Sequence, residues 1–380
     1  MGLHSLRGVG VAIALVISIG GEQEFAPAYA QEQSVKIGVI LTLSGPPGRA
    51  GNRQKDGAQL AVDAINAAGG IKGRQLQLVI QDDAGDPNAA VTAFNTLAAQ
   101  DDIVAIYGST IGSSTMAFAP LAKRAGIPVA VPNATYQITR LGNEFLFRVA
   151  VPGDVEVKAA VDLAKKKGWK RIAMLHSNDA YGKQGADLLA EMKDLEVVAS
   201  ESFATNSTDY TPQLTKIRAA RPDVIFIWGG VPFTGTAVKN AGQLGITAPL
   251  ISPTAAGAPA NVAAAAGSSA LSNWQIMGVI DPANPLPRQK AGIEATQAKF
   301  KNDPDVFIAS GWDAIQVLAA GLKNATAITR PALKTALEGV KGLEGMGGVY
   351  TYSATQRDGT GADSLIWLKV ADNKLVRNDP

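Results

Sequence analysis

The stretch VKIGVIL (Val35–Leu41) and the segment KDGAQLAVDAINAAGG (55–70) that follows it decide the fold. The first is a short apolar run, which is typical of a buried strand in a parallel sheet. The second has apolar residues at helical spacing and ends in two glycines, which predicts a helix and its end. A strand followed by a helix, repeated, indicates βαβ units in which helices cover both faces of a parallel sheet.

This alternation runs along the chain in two series. The first series predicts strands and helices at 35–41, 55–70, 76–83, 86–100, 103–109, 114–125 and 127–133. The second predicts them at 154–168, 171–177, 181–194, 196–203, 211–220, 223–230, 234–244 and 249–254. The tail adds helices at 288–302 and 309–324, another after Pro331, and strands at 348–353 and 364–370. Each series has the length of one doubly wound domain, so we expect an α/β protein of two doubly wound parallel-sheet lobes that join near 147–154.

The composition indicates an exported globular protein. The 380 residues are 46% hydrophobic and 18% charged, with a net charge of +2 and no basic run interleaved with aromatic residues, which argues against nucleic-acid binding. Arg7 precedes an apolar run (8–20) that is too short to span a membrane, and APAYA (26–30) follows. We interpret 1–30 as a signal peptide for export to the periplasm. The chain has no cysteine, which excludes disulfides and lipid attachment through an N-terminal cysteine.

A second stretch, GSSTMAFAPLAKRAGIPVAVPNAT (112–135), has polar turns on both sides of a helix–strand unit. In open α/β sheets ligands bind beyond the carboxyl ends of strands, near helix N-termini, where free N–H groups favour anions. Ser113, Ser114 and Thr115 begin such a helix, and Thr135 follows the next strand. We expect either an anion site at this edge of the sheet or, on the simpler interpretation, a serine that only caps the helix.

The sequence offers little support for catalysis. Apart from His4 in the predicted signal peptide, His176 is the chain's only histidine, and no hydrolase, phosphate-loop or dinucleotide-binding motif is present. The acidic run QDDAGDP (81–87) could supply metal ligands, but a strand end followed by an Asp-Pro helix start explains it more simply. We therefore predict no enzyme activity, no metal and no cofactor, with His176 as the base to test if an activity exists.

Six segments of the chain together resemble a known protein family. They are KIGVILTLSGPPG (36–48), DGAQLAVDAINAAGGIKGRQLQLVIQDDAGDP (56–87), 112–135, FRVAVPGD (147–154), NDAYGKQG (178–185) and 209–230. Their order and spacing resemble the periplasmic binding proteins of branched-chain amino acid ABC transporters. The resemblance implies a type I binding-protein fold, a Venus-flytrap clamp of two lobes joined by three crossovers. It places 31–150 and 278–347 in lobe 1, and 151–277 and 348–380 in lobe 2.

The resemblance also implies ligand contacts. In such proteins two turns of the first lobe hold the ligand's carboxylate, and they correspond here to Ser113, Ser114, Asn133, Ala134 and Thr135. Tyr181 matches a position where an aromatic residue of the second lobe covers the ligand, and Phe307 matches an apolar wall position. We add Trp228 because it lies at a strand end on the same edge, and we expect Trp312 to be a packing residue.

Two departures from the family pattern concern the ligand. Thr254 occupies the position where amino acid binders have a glutamate for the ligand's ammonium group, and an unpaired buried charge costs several kcal/mol. Asp209 or Asp281 would have to replace it. Ala50 occupies a position where relatives can have a bulky aromatic residue, which predicts a larger pocket. Amine-free aromatic or aliphatic acids therefore compete with leucine-like ligands. Gly85 also occupies a position of a family cysteine.

We therefore expect a monomeric periplasmic receptor that delivers a small carboxylate to a membrane permease of an ABC importer. A ligand-sensing module for a membrane signalling partner is the alternative, since the same clamp could serve either purpose.

Overall fold

The computed structural model describes residues 34–231 and 233–378, so the predicted signal peptide lies outside the described residues. The strands are β1 (Val35–Leu41), β2 (Leu76–Asp82), β3 (Ile103–Gly108), β4 (Val129–Val131), β5 (Leu146–Arg148), β6 (Arg171–Ser177), β7 (Glu196–Phe203), β8 (Val224–Trp228), β9 (Leu250–Ser252), β10 (Trp274–Gly278), β11 (Leu343–Glu344), β12 (Val349–Tyr350), β13 (Ile366–Ala371) and β14 (Lys374–Arg377). The α-helices are α1 (Gly48–Ala67), α2 (Pro87–Ala98), α3 (Gly112–Ala125), α4 (Gly153–Lys166), α5 (Ala180–Ala190), α6 (Thr211–Ala219), α7 (Phe233–Gln243), α8 (Pro259–Ala265), α9 (Lys290–Phe300), α10 (Val306–Asn324) and α11 (Arg330–Glu338).

The first lobe contains a five-stranded parallel sheet in the order β2-β1-β3-β4-β5. Strand β1 has the predicted bounds, and its side chains are almost all buried because helices cover both faces of the sheet. Helix α2 begins as predicted, since the Asp86 side chain accepts hydrogen bonds from the amides of Asn88 and Ala89, and Pro87 follows it.

The second lobe contains a seven-stranded sheet in the order β14-β13-β10-β9-β8-β6-β7. Strands β6 to β10 are parallel, and β13 and β14 extend the sheet in the antiparallel direction. The two sheets with their covering helices confirm the predicted fold of two doubly wound lobes. Strands β5, β10, β11 and β14 were not predicted from the sequence.

The chain crosses between the lobes three times: from β5 to α4, after β10, and before β13. Tyr350 and Tyr352 still pack in the core of the first lobe, and the chain joins the second sheet at Ile366. The third crossing therefore follows Tyr352, whereas the sequence analysis had placed the boundary at 348. Strand β12 pairs with β11 in a separate two-stranded sheet.

Helices α1 and α10 pack closely in the first lobe and bring their N-terminal turns to the space between the lobes. A Cβ atom on Gly57 would lie 2.1 Å from the carbonyl oxygen of Ile308, so only glycine permits this approach. Helix α10 is long and apolar enough to cross a membrane, but 72% of its most apolar window is buried inside the protein. It is a core helix of the first lobe, and Trp312 packs in that core as expected.

Candidate functional site

A cavity of about 340 Å³ lies between the two lobes, at the carboxyl ends of their parallel strands. This volume is in the range of small-molecule sites. The cavity is lined by seven of the nine residues predicted from the sequence: Ser113, Asn133, Ala134, Thr135, Tyr181, Thr254 and Phe307. The structure thus brings together residues that lie up to about two hundred positions apart in the chain, as expected of strand ends that meet at one edge.

The first-lobe wall is formed by the start of α3 and by Thr135. Helix α3 follows Ile111 and has no side-chain cap, so the capping interpretation of Ser113 and Ser114 does not hold. Its first N–H groups and the positive end of its dipole favour an anion. Thr135 is 1% exposed, and its hydroxyl has no hydrogen-bond partner within 34–231 and 233–378. A Cβ atom on Gly112 would lie 1.9 Å from the Thr135 Oγ1 atom, so glycine makes room for this hydroxyl.

Asn133 ties the two polar turns of the stretch 112–135 together. Its Nδ2 atom donates to the carbonyl oxygen of Ser109 and to Thr115 Oγ1, both at 3.0 Å, and its Oδ1 atom accepts from the Thr135 amide at 3.2 Å. Thr115 also accepts from the Ser109 amide at 2.9 Å. The side chains of Asn133 and Thr115 therefore hold the wall in place, and the Thr135 hydroxyl is left without a partner among the described residues.

Arg148 supports the same wall from behind. It is fully buried and donates to the carbonyl oxygens of Asn133 and Thr135, the latter at 2.8 Å, and to Asp358 at 2.8 Å. Burial by itself raises the pKa of Asp358, but the Arg148 charge and the hydrogen bonds from Thr139 and Arg148 outweigh it, so the pKa lies below its usual value. Asp358 belongs to the third crossing, and this ion pair therefore connects the crossing to the cavity wall.

The second-lobe wall contains Tyr181 and Thr254, and both contact a buried carboxylate behind them. Glu156, in the first turn of α4, accepts from the Tyr181 hydroxyl at 2.6 Å, the Thr254 hydroxyl at 2.6 Å and the Thr254 amide at 3.0 Å. Burial raises the pKa of Glu156 in spite of these hydrogen bonds. The sequence analysis missed Glu156, since a helical glutamate looks like any solvated one. The one usable signal in the sequence was that Glu156 lies in the first turn of α4, directly after the first crossing between the lobes.

Two predicted contacts, Ser114 and Trp228, do not line the cavity. The Ser114 side chain is fully buried beneath the start of α3. Trp228 is also fully buried; its ring lies 6.1 Å from that of Tyr181, on the side away from the cavity. A strand alternates its side chains between the two faces of the sheet, and Trp228 falls on the face that α4 and α5 cover.

The proposed substitutes for the family glutamate also lie elsewhere. Asp209 accepts hydrogen bonds from Thr211, and Asp281 accepts one from the Ala283 amide; neither lines the cavity. Arg53 forms an ion pair with Asp305 at 3.0 Å, and Arg49 is exposed. Ala50 does line the cavity, and its short side chain leaves space there.

Further cavity residues come from helix α1 and from the ends of β3 and α10, and the sequence analysis did not single them out. Thr110 donates to the Gln54 Oε1 atom at 2.7 Å, and Ser310 lies next to Gln54. Gln54 is 1% exposed. Thr110 could have been predicted as a cavity residue, because it follows the end of β3 and the carboxyl ends of the strands carry the site.

The carboxylates of the acidic run 81–87 accept hydrogen bonds from neighbouring hydroxyls and backbone amides of the first lobe. Asp83 accepts from the hydroxyls of Thr42 and Ser109, Asp82 accepts from the amides of Leu43 and Ala84, and Asp86 caps α2. No group of three potential metal ligands occurs within the described ranges 34–231 and 233–378. His176 lies at the end of β6, outside the cavity wall, with its Nδ1 atom 2.9 Å from the carbonyl oxygen of Ser177.

The fold is that of a type I periplasmic binding protein, a two-lobed ligand-binding clamp. It consists of two doubly wound lobes joined by three crossings, and the cavity between the lobes has a wall that favours an anion. The sequence pattern of the periplasmic binding protein family matches residues 34–374, and the chain belongs to this family.

The proteins similar to this chain include amino acid binding proteins. The leucine-, isoleucine-, valine-, threonine- and alanine-binding protein of Pseudomonas aeruginosa is 28% identical over 306 residues, which cover 79% of this chain and 81% of that protein. The Leu/Ile/Val-binding protein of Escherichia coli is 28% identical and covers 77% of this chain and 80% of that protein. The crystal structure of the branched-chain amino acid binding protein LivJ from Streptococcus pneumoniae with isoleucine has a TM-score of 0.82 and 27% identity, and covers 91% and 100% of the two chains. The chain is thus a periplasmic binding protein of the branched-chain amino acid transport type.

Proposed function

We propose that this protein is the receptor of an ABC importer, which captures a small carboxylate between its lobes and delivers it to the membrane permease. The observation that carries the proposal is the first-lobe wall: an uncapped helix N-terminus next to a buried Thr135 hydroxyl without a partner. A carboxylate would satisfy both, because it accepts hydrogen bonds and carries the charge that a helix N-terminus favours.

The rest of the cavity suits an apolar ligand body. Ala50, Val231, Phe233, Val306 and Phe307 contribute apolar surface from both lobes. Burial of the ligand's apolar part would supply affinity, and the carboxylate wall would set its orientation. The ligand is a branched-chain or other apolar amino acid, or an amine-free acid of similar size. Its binding favours the closed clamp, which works as a monomer in the periplasm without chemical change to the ligand.

A thermal-shift screen of protein purified from the periplasm tests the proposal, with aliphatic and aromatic amino acids and the matching 2-oxo and amine-free acids. A ligand at about a thousand times its Kd adds roughly 4 kcal/mol to the free energy of unfolding, which raises the melting temperature by several degrees. No shift with any carboxylate would refute the proposal. Uptake of the bound acid in cells with and without this protein then separates delivery to a permease from a sensing role.

A further inference from the structure

A second cavity of about 320 Å³ lies beside the ligand cavity, between the start of α1 in the first lobe and the start of α8 in the second. We call this second cavity the outer chamber. Its apolar lining consists of Ala50, Val231, Ala258, Pro259, Ala260 and Phe307. Three of these residues, Ala50, Val231 and Phe307, also line the ligand cavity, so the two spaces adjoin at that point.

The charged side chains of the outer chamber are paired or accessible to solvent. Arg53 donates to Asp305 at 3.0 Å and to Asn302 at 3.1 Å, so its charge is already balanced within the first lobe. Arg49 is exposed and Asp56 is partly exposed, so water can solvate both charges. What the outer chamber offers a ligand is therefore its apolar surface, which favours a hydrocarbon chain over a second charged group.

The boundary between the two spaces is narrow in side chains at Ala50. Its methyl group is the smallest of the three boundary side chains, and it lies at the start of α1, opposite Val231 of the second lobe. A third cavity, of about 690 Å³, lies beyond Thr254 and Val306. Helix α10, which begins at Val306, packs against the segment Thr254–Gly257, and this contact separates the third cavity from the ligand cavity.

We propose that the protein binds carboxylates whose apolar tail runs past Ala50 into the outer chamber, so that its ligands include acids longer than the branched-chain amino acids. The inference rests on the proposed function and adds chain length to its ligand class. With the carboxylate at Thr135, the tail begins in the ligand cavity and ends beside Ala260 at the start of α8. The inference concerns the tail alone, and it holds for acids with or without an amine.

The two possible ends of the tail predict opposite effects of chain length. Each methylene group that reaches apolar surface lowers Kd by about fourfold, so entry into the outer chamber makes affinity rise steadily with length. A tail confined to the ligand cavity would instead be overpacked once that cavity is full, and longer acids would bind more weakly.

Isothermal titration of the protein with two straight-chain series tests the inference. One series contains the unbranched acids from butanoate to decanoate, and the other contains the L-2-amino acids of the same lengths. We expect Kd in at least one series to fall beyond six carbons and to be lower by about tenfold or more at ten carbons than at six. A Kd that stays level or rises beyond six carbons in both series overturns the inference.

Two leucine substitutions in α8 locate the end of the tail. Ala260→Leu fills the outer chamber, and it should raise the Kd of the ten-carbon ligand by about tenfold or more while the Kd of the four-carbon ligand stays the same. Ala263→Leu is the matched control, because Ala263 lies one turn further along the same helix and lines the third cavity instead. Leucine is a good helix former and neither alanine is fully buried, so both variants should fold.

The outcomes separate this inference from the proposed function. Equal effects of Ala260→Leu on short and long ligands, or a loss of long-ligand binding in Ala263→Leu alone, overturn the inference. Either result leaves the capture of a small carboxylate standing, since the short ligands still bind to the wild type. Binding of no acid, in these series or in the thermal-shift screen, overturns both.

Discussion

Replacement of Thr135 by valine separates ligand affinity from protein stability. The two side chains have nearly the same shape, so the change removes only the hydroxyl that has no partner in the protein. A buried hydroxyl without a partner costs about 1–3 kcal/mol, and valine removes this cost. We therefore expect the free energy of unfolding of the ligand-free protein to stay the same or to rise.

The effect on the complex has the opposite sign. A hydrogen bond from Thr135 to a ligand carboxylate is worth about 1.5–3 kcal/mol, and its loss should raise Kd by roughly ten- to 150-fold. Isothermal titration measures Kd, and denaturant unfolding of the ligand-free protein measures stability. Thr135→Ser retains the hydroxyl and should bind nearly as tightly as the wild type.

Thr139→Val is the matched control, since Thr139 lies close in the chain and its hydroxyl is fully used. It donates to Asp358 at 2.6 Å and accepts from Arg148 at 3.0 Å. The control should lose about 1–3 kcal/mol of stability. A Thr135→Val protein whose Kd changes by less than about threefold, or that is destabilised as much as the control, would refute the assignment of Thr135 to the carboxylate wall.

Three further changes test other parts of the site. Gly112→Ala should weaken carboxylate binding about tenfold or more, because its Cβ atom would lie 1.9 Å from Thr135 Oγ1; titration of a Gly126→Ala control, far from any neighbour, should show no such loss. Asp358→Asn should lose about 3–5 kcal/mol in denaturant unfolding, because it leaves the buried Arg148 charge unpaired. The pKa of Asp358 is lowered, so this contribution is present above its ordinary range and disappears as the pH falls; a variant as stable as the wild type at neutral pH would contradict it. Burial raises the pKa of Glu156, whose surroundings include Tyr181, Thr254 and the Arg148 charge. An ionised carboxylate behind the second-lobe wall attracts a positive charge, so affinity for an ammonium-bearing ligand should increase as the pH rises through that raised pKa. Titrations of Glu156→Gln over the same pH range should be flat, and an unchanged slope would exclude Glu156 as its source.

Local patterns determined most of the fold. The alternation of apolar runs and helical periodicity predicted the parallel strands β1 to β4 and β6 to β9, since a buried strand and an amphipathic helix differ in period whatever surrounds them. The three-residue strand β5 was not predicted, because it lies where the sequence analysis placed the junction of the lobes. Asp86 and Pro87 marked the start of α2, because a cap and a missing N–H act within a single turn. The edge of the sheet that carries Ser113 and Thr135 also followed from strand order alone.

The tertiary structure decided which side chains face the cavity. Ser113 and Ser114 are neighbours in the chain, but successive helical residues point about 100° apart, so one lines the cavity and the other is buried beneath it. Trp228 occupies the predicted strand end but lies on the face covered by helices. Glu156 meets Thr254 across 98 positions of sequence, and only the packing of α4 against the end of β9 reveals that contact. Periodicity depends on near neighbours in the chain, whereas the polarity of this cavity depends on contacts that form only when both lobes are folded.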